Sequence, residues 1–212
     1  MMNLRHKTIV FLGTDGSGKS TVIDAITPVL RRKYATNINY EHLRPNYIPS
    51  LGVAMGKRTK DDETQITKVE NPHSEKPSGF FGSLFRLSYY LIDYTYGYYK
   101  KIYKSDGIWI FDRYFYDFII DPRRGKINLP QWLIKLFGCI IPSPDLIICL
   151  GTDAGTIYQR KPELSLHEIK RQVDMLKLFS QKHKKAVWID TGCSIEKTVK
   201  DTMQIINSCF NK

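Results

Sequence analysis

The chain has 212 residues, of which 42% are hydrophobic and 25% are charged, and its formal net charge at pH 7 is +11. These values predict one globular domain over residues 1–212, with enough apolar residues for an ordinary core. No stretch reaches the roughly 20 apolar residues that a membrane span needs, and the N-terminus lacks the pattern of a signal peptide. The basic charge indicates an anionic partner, which could be a nucleotide, nucleic acid or a membrane surface.

Short apolar runs alternate with helical patterns along the chain. The runs are rich in β-branched or aromatic residues and end at Gly, Pro or Asp, which predicts strands buried on both faces. Ser165 and Ser194 stand where they would cap the starts of two helices. The alternation predicts an α/β fold of three layers, with a parallel sheet of about five strands and ligands at the carboxyl ends of the strands. The five runs are HKTIVFLG, NYEHL, GIWIFD, DLIICLG and AVWID.

Three segments depart from this alternation. Pro28 predicts that the first helix kinks or ends near Thr27. Residues 56–79 are polar, aperiodic and contain two prolines, which predicts a mobile insertion. Residues 89–103 carry seven tyrosines, and we interpret most of them as core packing, with some free to line a pocket. The predicted core stripe is Leu84, Leu87, Leu91, Tyr98 and Ile102, with Phe85, Ile92, Tyr96 and Tyr99 beside it.

The four cysteines lie at positions 139, 149, 193 and 209. They show neither C-x-x-C spacing nor a histidine at ligand spacing, so we interpret them as thiols in a reducing compartment. The expected location is therefore the cytoplasm.

GTDGSGKST, residues 13–21, matches the pattern G-x-x-x-x-G-K-[ST] between a predicted strand and a predicted helix. In such a loop, backbone N–H groups and the helix N-terminus surround phosphate oxygens. Lys19 would reach the β- and γ-phosphates, and Ser20 would place its hydroxyl on Mg²⁺. The pattern therefore predicts a P-loop NTPase fold with ATP and Mg²⁺ as cofactors. The predicted nucleotide-binding residues are Gly13, Asp15, Gly16, Ser17, Gly18, Lys19, Ser20 and Thr21.

An acid inside a phosphate loop needs an explanation, because it would repel the phosphates. Asp15 is either a turn residue, as Asp often is, or a carboxylate that contacts the acceptor or an arginine bound to it. We favour the second interpretation and count Asp15 among the candidate catalytic residues.

Charged residues crowd the segment FDRYFYDFIIDPRRG, residues 111–125, after the third predicted strand. Asp112 would emerge at the carboxyl end of that strand, where it can hold Mg²⁺, and Arg113 can point at a phosphate. A strand-end salt bridge is the alternative. The remaining charges either shape an acceptor pocket or form a solvated salt-bridge patch; they are Asp117, Asp121, Arg123 and Arg124.

GTDGSGKST, HLRP at 42–45, FDRY at 111–114 and RKPE at 160–163 occur in the order found in thymidylate kinases, and the chain resembles that family over most of its length. The resemblance implies that Arg44 grips the acceptor's phosphate and that Asp112 and Arg113 act in phosphoryl transfer. It places Arg160 and Lys161 on a short lid near 152–165 that closes on the phosphates. It also places TGCS at 191–194, with Cys193, against adenine.

The acceptor side departs from the family pattern. Where thymidylate kinases carry a segment resembling F-A-A-D-R, this chain reads YLIDYTYG, so Asp93 is kept and Tyr94 replaces an arginine that helps hold the pyrimidine. The serine and tyrosine-glutamine elements after D-R-Y are replaced by FYDFIIDPRRGK. The resemblance thus implies a kinase with a changed acceptor site. The candidate acceptor-binding residues are Arg44, Asp93, Arg113, Tyr114, Asp117, Arg123 and Arg124.

Three functions remain open from the sequence. The first is transfer of the γ-phosphoryl of ATP to a nucleoside monophosphate, with dTMP the first candidate. The second is phosphorylation of a sugar, glycan or other small alcohol, as in surface polysaccharide synthesis. The third is a nucleotide-dependent switch; the acceptor-side residues argue against it, and the clustering of basic residues argues against nucleic acid as a partner. A homodimer is left open.

Overall fold

The computed structural model describes residues 6–54, 56 and 78–211. Most of the insertion predicted at 56–79 lies outside these residues. All five predicted strands are present, and they form one parallel sheet in the order β2-β3-β1-β4-β5. The predicted fold class is therefore confirmed. The strands are β1 (Lys7–Leu12), β2 (Ile38–His42), β3 (Ile108–Asp112), β4 (Leu146–Gly151) and β5 (Ala186–Asp190).

Helices connect the strands as a parallel sheet requires. Among the described residues, no helix is long and apolar enough to cross a membrane. The helices are α1 (Lys19–Tyr34), α2 (Leu51–Ala54), α3 (Phe80–Ile92), α4 (Asp117–Ile120), α5 (Gln131–Gly138), α6 (Ala154–Arg160), α7 (Leu166–Lys182) and α8 (Ile195–Phe210), and a π-helical segment Asp93–Tyr103 continues α3.

The chain divides into two compact units. The sheet unit comprises Met1–Leu43, Tyr103–Tyr114 and Ser143–Lys212. The helical unit comprises Arg44–Ile102 and Phe115–Pro142. The single domain expected from the chain length stays a prediction.

Helices cover both faces of the sheet in the sheet unit. Ile189 joins the core formed by β1, β3, β4, α1 and α8, whereas its neighbour Trp188 packs against a second cluster built on α6 and α7. Successive strand residues point to opposite faces, so the two clusters lie on opposite sides of β5. The predicted caps are also present, since Ser165 Oγ accepts from the N–H of Glu168 and Ser194 Oγ accepts from the N–H of Lys197.

The first helix does not end near Thr27, because α1 continues past Pro28 to Tyr34; a kink at Pro28 stays a prediction. Pro28 is exposed, whereas Ile26 and Leu30 on either side are fully buried in the core. Their packing outweighs the roughly 3 kcal/mol that an interior proline costs a helix.

The core stripe predicted for the tyrosine-rich helix is only partly correct. Leu87 and Ile102 are fully buried, but Tyr94 is the tyrosine that enters the core. The prediction assumed 3.6 residues per turn, whereas the segment from Asp93 onwards is π-helical with a wider turn, which shifts the buried face.

Candidate active site

The loop between β1 and α1 has the geometry that the glycine pattern predicts. Gly16 and Gly18 have φ values of 84° and 86°, a left-handed conformation that favours glycine. A Cβ atom at Gly13 would lie 2.5 Å from Ser17 Oγ and 2.6 Å from the carbonyl oxygen of Leu150, so a larger residue does not fit. The loop therefore presents backbone to its interior at the N-terminus of α1.

Polar groups fill the interior of this loop. Lys19 is buried, and its Nζ donates to the carbonyl oxygens of Gly13 (2.9 Å) and Thr14 (3.1 Å). The hydroxyls of Thr14 and Ser17 are buried and have no hydrogen-bond partner among the described residues. Buried hydroxyls ordinarily have partners, so this interior suits the oxygens of a bound phosphate. Ser20, whose hydroxyl is the predicted metal ligand, and Thr21 are both exposed in the first turn of α1.

Asp15 of the phosphate loop contacts an arginine. Arg113 Nη2 donates to Asp15 Oδ1 at 2.7 Å, and both side chains are largely shielded from solvent. Arg113 has a φ of 72°, and its backbone N–H donates to the carbonyl oxygen of Phe11. A non-glycine residue in this region stores roughly 1–3 kcal/mol of strain and is characteristic of functional sites. The chain turn after β3 thus directs the guanidinium to the phosphate loop.

Asp112 ends β3 with an incompletely satisfied carboxylate. Its Oδ2 accepts from the Tyr40 hydroxyl at 3.3 Å, whereas its buried Oδ1 has no hydrogen-bond partner among the described residues. Burial and the Asp112 charge raise the pKa of Tyr40. His42 pairs in register with Asp112, and desolvation lowers the pKa of His42. The charge of Asp112 raises that pKa, whereas the charges of Arg113 and Lys19 lower it further. Tyr40 and His42 were not predicted from the sequence, although their spacing of two residues puts both on one face of β2.

These groups fit a magnesium ion bound together with a nucleotide. Mg²⁺ is usually held by one or two carboxylates, by substrate phosphates and by water. Among the described residues, Asp112 Oδ1 is a buried carboxylate oxygen without a hydrogen-bond partner, and Ser20 has an exposed hydroxyl-bearing side chain. The described residues contain no group of three or more His, Cys, Asp or Glu side chains that could form a metal site by themselves.

The predicted lid region forms helix α6, whose last residue is Arg160. Arg160 Nη2 donates to the carbonyl oxygen of Thr191 at 2.9 Å, so this arginine contacts the segment after β5. Lys161 lies nearer the phosphate loop, because a Cβ atom at Gly16 would be 3.1 Å from Lys161 Cβ. Cys193, predicted beside adenine, is exposed, and its Sγ lies 3.6 Å from Lys197 Nζ.

In the helical unit, Asp93 is fully buried and holds a backbone loop. Its Oδ2 accepts from Arg44 Nη1 at 2.7 Å and from the N–H of Asn46 at 3.0 Å. Its Oδ1 accepts from the N–H groups of Tyr47 (2.9 Å) and Ile48 (3.0 Å). Four donors satisfy the carboxylate, and Arg44 also donates to the carbonyl oxygen of Ile48.

Close packing surrounds this ion pair. A Cβ atom at Gly97 would lie 2.7 Å from Asp93 Oδ1 and 2.8 Å from Tyr47 Cβ, so glycine is required there. Tyr94 is fully buried, and its ring packs edge-on against that of Phe115, with 5.7 Å between the ring centroids. It contributes a ring to the core and no positive charge.

The remaining predicted acceptor residues have different environments. Tyr114, in the sheet unit, is buried. In the helical unit, Asp117 is buried at the start of α4, and Asp121 forms an ion pair with Arg124 at 3.5 Å. Arg123 is exposed. The charges after residue 114 therefore comprise a buried acid, a shielded ion pair and a solvent-facing arginine.

No protein-family model matches the chain, and no curated protein does. Solved structures do. Thymidylate kinase from Ehrlichia chaffeensis matches with a TM-score of 0.59 and 18% identity, over 96% of this chain and 99% of that chain. Thymidylate kinase from Candida albicans matches with a TM-score of 0.60 and 16% identity, over 97% and 94% respectively. Together with the P-loop geometry, these matches show that the chain has the fold of thymidylate kinase-like P-loop kinases.

Proposed function

We propose that the chain is an ATP-dependent phosphotransferase that moves the γ-phosphoryl of ATP to an acceptor. The observation that carries this proposal is the phosphate loop with the buried Lys19. At the end of the neighbouring strand β3, Asp112 has a buried carboxylate oxygen, Oδ1, without a hydrogen-bond partner among the described residues. Arg113 brings a further cation to the same loop.

Little covalent chemistry falls to the protein in phosphoryl transfer, so its groups position the reactants and neutralise charge. Lys19 and Arg113 supply positive charge, and Asp15 orients the Arg113 guanidinium through their ion pair. Asp112 and Ser20 would hold Mg²⁺, which supplies charge neutralisation at the phosphate oxygens. Arg160, the last residue of α6, and Lys161, which follows it, would approach the phosphates of a bound nucleotide.

The first candidate acceptor is a nucleoside monophosphate, with dTMP foremost, because proteins of the same fold are thymidylate kinases. A sugar, glycan or other alcohol is the second candidate, and the buried Tyr94 favours it. The resemblance implies an arginine that helps hold the pyrimidine at this position, and this chain has a core aromatic residue there.

An assay of ADP release with ATP and Mg²⁺ tests the proposal across nucleoside monophosphates, sugar phosphates and free glycans. We expect acceptor-dependent ADP release that falls by ~10²–10³ in Lys19→Met, because one charge-stabilising donor is lost. Lys33→Met, at an exposed position on the same helix, is the matched control and should keep the wild-type rate.

Two results would contradict the proposal. One is a folded Lys19→Met protein with wild-type turnover. The other is a wild-type protein whose melting temperature does not rise with ATP and Mg²⁺ and which releases no ADP with any acceptor class.

A further inference from the structure

One arginine of helix α3, in the helical unit, is partly buried without the partner that such a group ordinarily has. The Nε atom of Arg86 is shielded from solvent and has no hydrogen-bond partner among the described residues. Burying a charged group without a partner is costly, so buried charges are usually paired. The side chain as a whole is only partly buried, so a ligand can reach it.

The other partly or fully buried arginines of the described chain each form an ion pair with an acidic side chain. Arg124 also has an Nε without a hydrogen bond, but that atom lies 3.5 Å from the Asp121 carboxylate. Within the described ranges, no such partner is found for Arg86. The four pairs are Arg44 with Asp93, Arg113 with Asp15, Arg124 with Asp121 and Arg171 with Glu168.

The acids of the helical unit have other partners. Its described part contains three of them, Asp93, Asp117 and Asp121. Asp93 accepts four hydrogen bonds, and Asp121 forms its ion pair with Arg124. Asp117 likewise has a partner. The positive charge of Arg86 therefore has no fixed counter-charge in the part of this unit that the structure describes.

The face of α3 that carries Arg86 packs against residues 118–128. Three residues before Arg86, Ser83 Oγ accepts a hydrogen bond from the N–H of Asn128 at 2.9 Å. Four residues after it, the ring of Tyr90 stacks on that of Phe118, with 5.8 Å between the ring centroids. Residues three and four apart are neighbours on a helix surface, so Arg86 lies between these two contacts.

The same face of α3 also meets Arg44. The guanidinium carbon of Arg44 lies 5.5 Å from the centroid of the Tyr90 ring, one helical turn from Arg86. Arg44 and Arg124, two candidate acceptor-binding residues, thus flank this face or lie in the segment packed against it, and both already have an acidic partner. Arg86 is the arginine in these surroundings whose charge is available to a ligand.

We propose that Arg86 binds an anionic group of the acceptor, either a phosphate or a carboxylate. This inference rests on the proposed phosphotransferase function, and it narrows the acceptor to anionic molecules such as a nucleoside monophosphate, a sugar phosphate or a uronic acid, in place of a neutral glycan. A planar guanidinium matches two oxygens of either group, and partial burial strengthens such charge-assisted hydrogen bonds. A purely structural role fits less well, because an arginine that only covers apolar neighbours with its stem keeps its charged head in water.

Phenylglyoxal labelling of the full chain, followed at each arginine by mass spectrometry, tests anion binding without turnover. The probes are dTMP, glucose 1-phosphate and glucuronate, with thymidine and glucose as uncharged counterparts at equal ionic strength. At twice its dissociation constant, an anionic probe should slow the labelling of Arg86 by about threefold, and the uncharged counterparts should leave it unchanged. Arg31, an exposed arginine of α1 in the sheet unit, is the matched control and should be labelled at one rate throughout. Protection by the phosphate-bearing probes alone, or by glucuronate alone, identifies the group that is bound.

Substitutions separate binding from catalysis. With whichever anionic probe supports ADP release, Arg86→Gln should raise the KM for that acceptor by about tenfold, because a charge-assisted hydrogen bond is lost. The kcat and the KM for ATP should stay near wild type, since the lost contact is the same in the ground state and the transition state. Arg86→Lys keeps the charge without the planar fork and should lose less. Arg31→Gln is the matched control and should keep all three constants.

Stability separates binding from a structural role. Arg86→Met keeps an unbranched stem but removes the unpaired charge, so its urea midpoint should equal or exceed that of wild type. An arginine that the fold needs would instead lower the midpoint when it is replaced.

Three results would each overturn the proposal: no protection of Arg86 by any anionic probe, equal protection by the uncharged counterparts, or a lower urea midpoint in Arg86→Met. Failure of this inference and failure of the proposed function are distinguishable. Protection of Arg86 in a protein that releases no ADP would keep the anion site and contradict phosphoryl transfer. ADP release with an acceptor KM that Arg86→Gln does not change would keep phosphoryl transfer and remove Arg86 from the site.

Discussion

Asp93 in the helical unit and Asp112 in the sheet unit are both buried carboxylates, with 0% and 7% of their surface exposed. Asp93 accepts four hydrogen bonds of 3.0 Å or less. Asp112 accepts a hydrogen bond of 3.3 Å from the Tyr40 hydroxyl, and its Oδ1 has no hydrogen-bond partner within the described ranges. Burial alone therefore does not separate a structural acid from a candidate metal ligand, whereas the saturation of its oxygens does.

The comparison changes the interpretation of Asp93. Asp93 is a candidate acceptor-binding residue by resemblance, because the segment of the family that it matches keeps an acid there. We now propose that Asp93 is a positioning residue, because its oxygens are used by Arg44 and by three backbone N–H groups of the following loop.

The largest effect is expected for Asp93→Ala. Breaking a buried ion pair by removing one partner typically costs about 3–5 kcal/mol, and here three N–H groups also lose their acceptor. Urea unfolding should show this loss. Asp112→Ala is the matched variant, and it should lose far less because few bonds hold that carboxylate. Equal losses for the two variants would contradict the distinction between them.

The next largest effect is expected on catalysis. Asp112→Asn keeps the shape of the side chain but removes the charge that would bind Mg²⁺, so turnover should fall by about 10²-fold and require more Mg²⁺. Its urea midpoint should stay near wild type. Asp174→Asn, at an exposed position of α7, controls for loss of one negative charge. Unchanged turnover and unchanged Mg²⁺ dependence in Asp112→Asn would remove Asp112 from the site.

Which of these features could be predicted from sequence depends on how local their causes are. The phosphate loop and the five strands were predictable, because glycine spacing and apolar runs act within a few residues. The pair of Arg44 and Asp93 joins residues 49 positions apart, so no local pattern indicates it. The π-helical turn that buries Tyr94 likewise depends on packing in the helical unit and not on helix periodicity.

A smaller effect on stability is expected for Gly97→Ala. The added Cβ would lie within 2.8 Å of both Asp93 Oδ1 and Tyr47 Cβ, and forced overpacking costs roughly 1–3 kcal/mol. Gly82→Ala is the matched control in α3, where the nearest contact is the Ser78 side chain at 3.2 Å. That variant should gain up to about 1 kcal/mol from better helix propensity. The urea midpoints of the two variants should therefore move in opposite directions, and a loss for Gly82→Ala as large as that for Gly97→Ala would show that the surroundings of Asp93 are not special.

The smallest effect is expected for Tyr40→Phe, which removes the hydroxyl that donates to Asp112. The bond is long and the tyrosine is about half exposed, so the loss of stability should be about 0.5 kcal/mol. Turnover should fall much less than in Asp112→Asn, because the carboxylate and its charge remain in place. Tyr158→Phe, an exposed tyrosine of α6, is the control for loss of a surface hydroxyl. If Tyr40→Phe instead matched Asp112→Asn in turnover, the tyrosine hydroxyl would be needed to orient the carboxylate. The saturation of oxygens would then fail as a criterion, since a single weak donor would be as important to Asp112 as four strong donors are to Asp93.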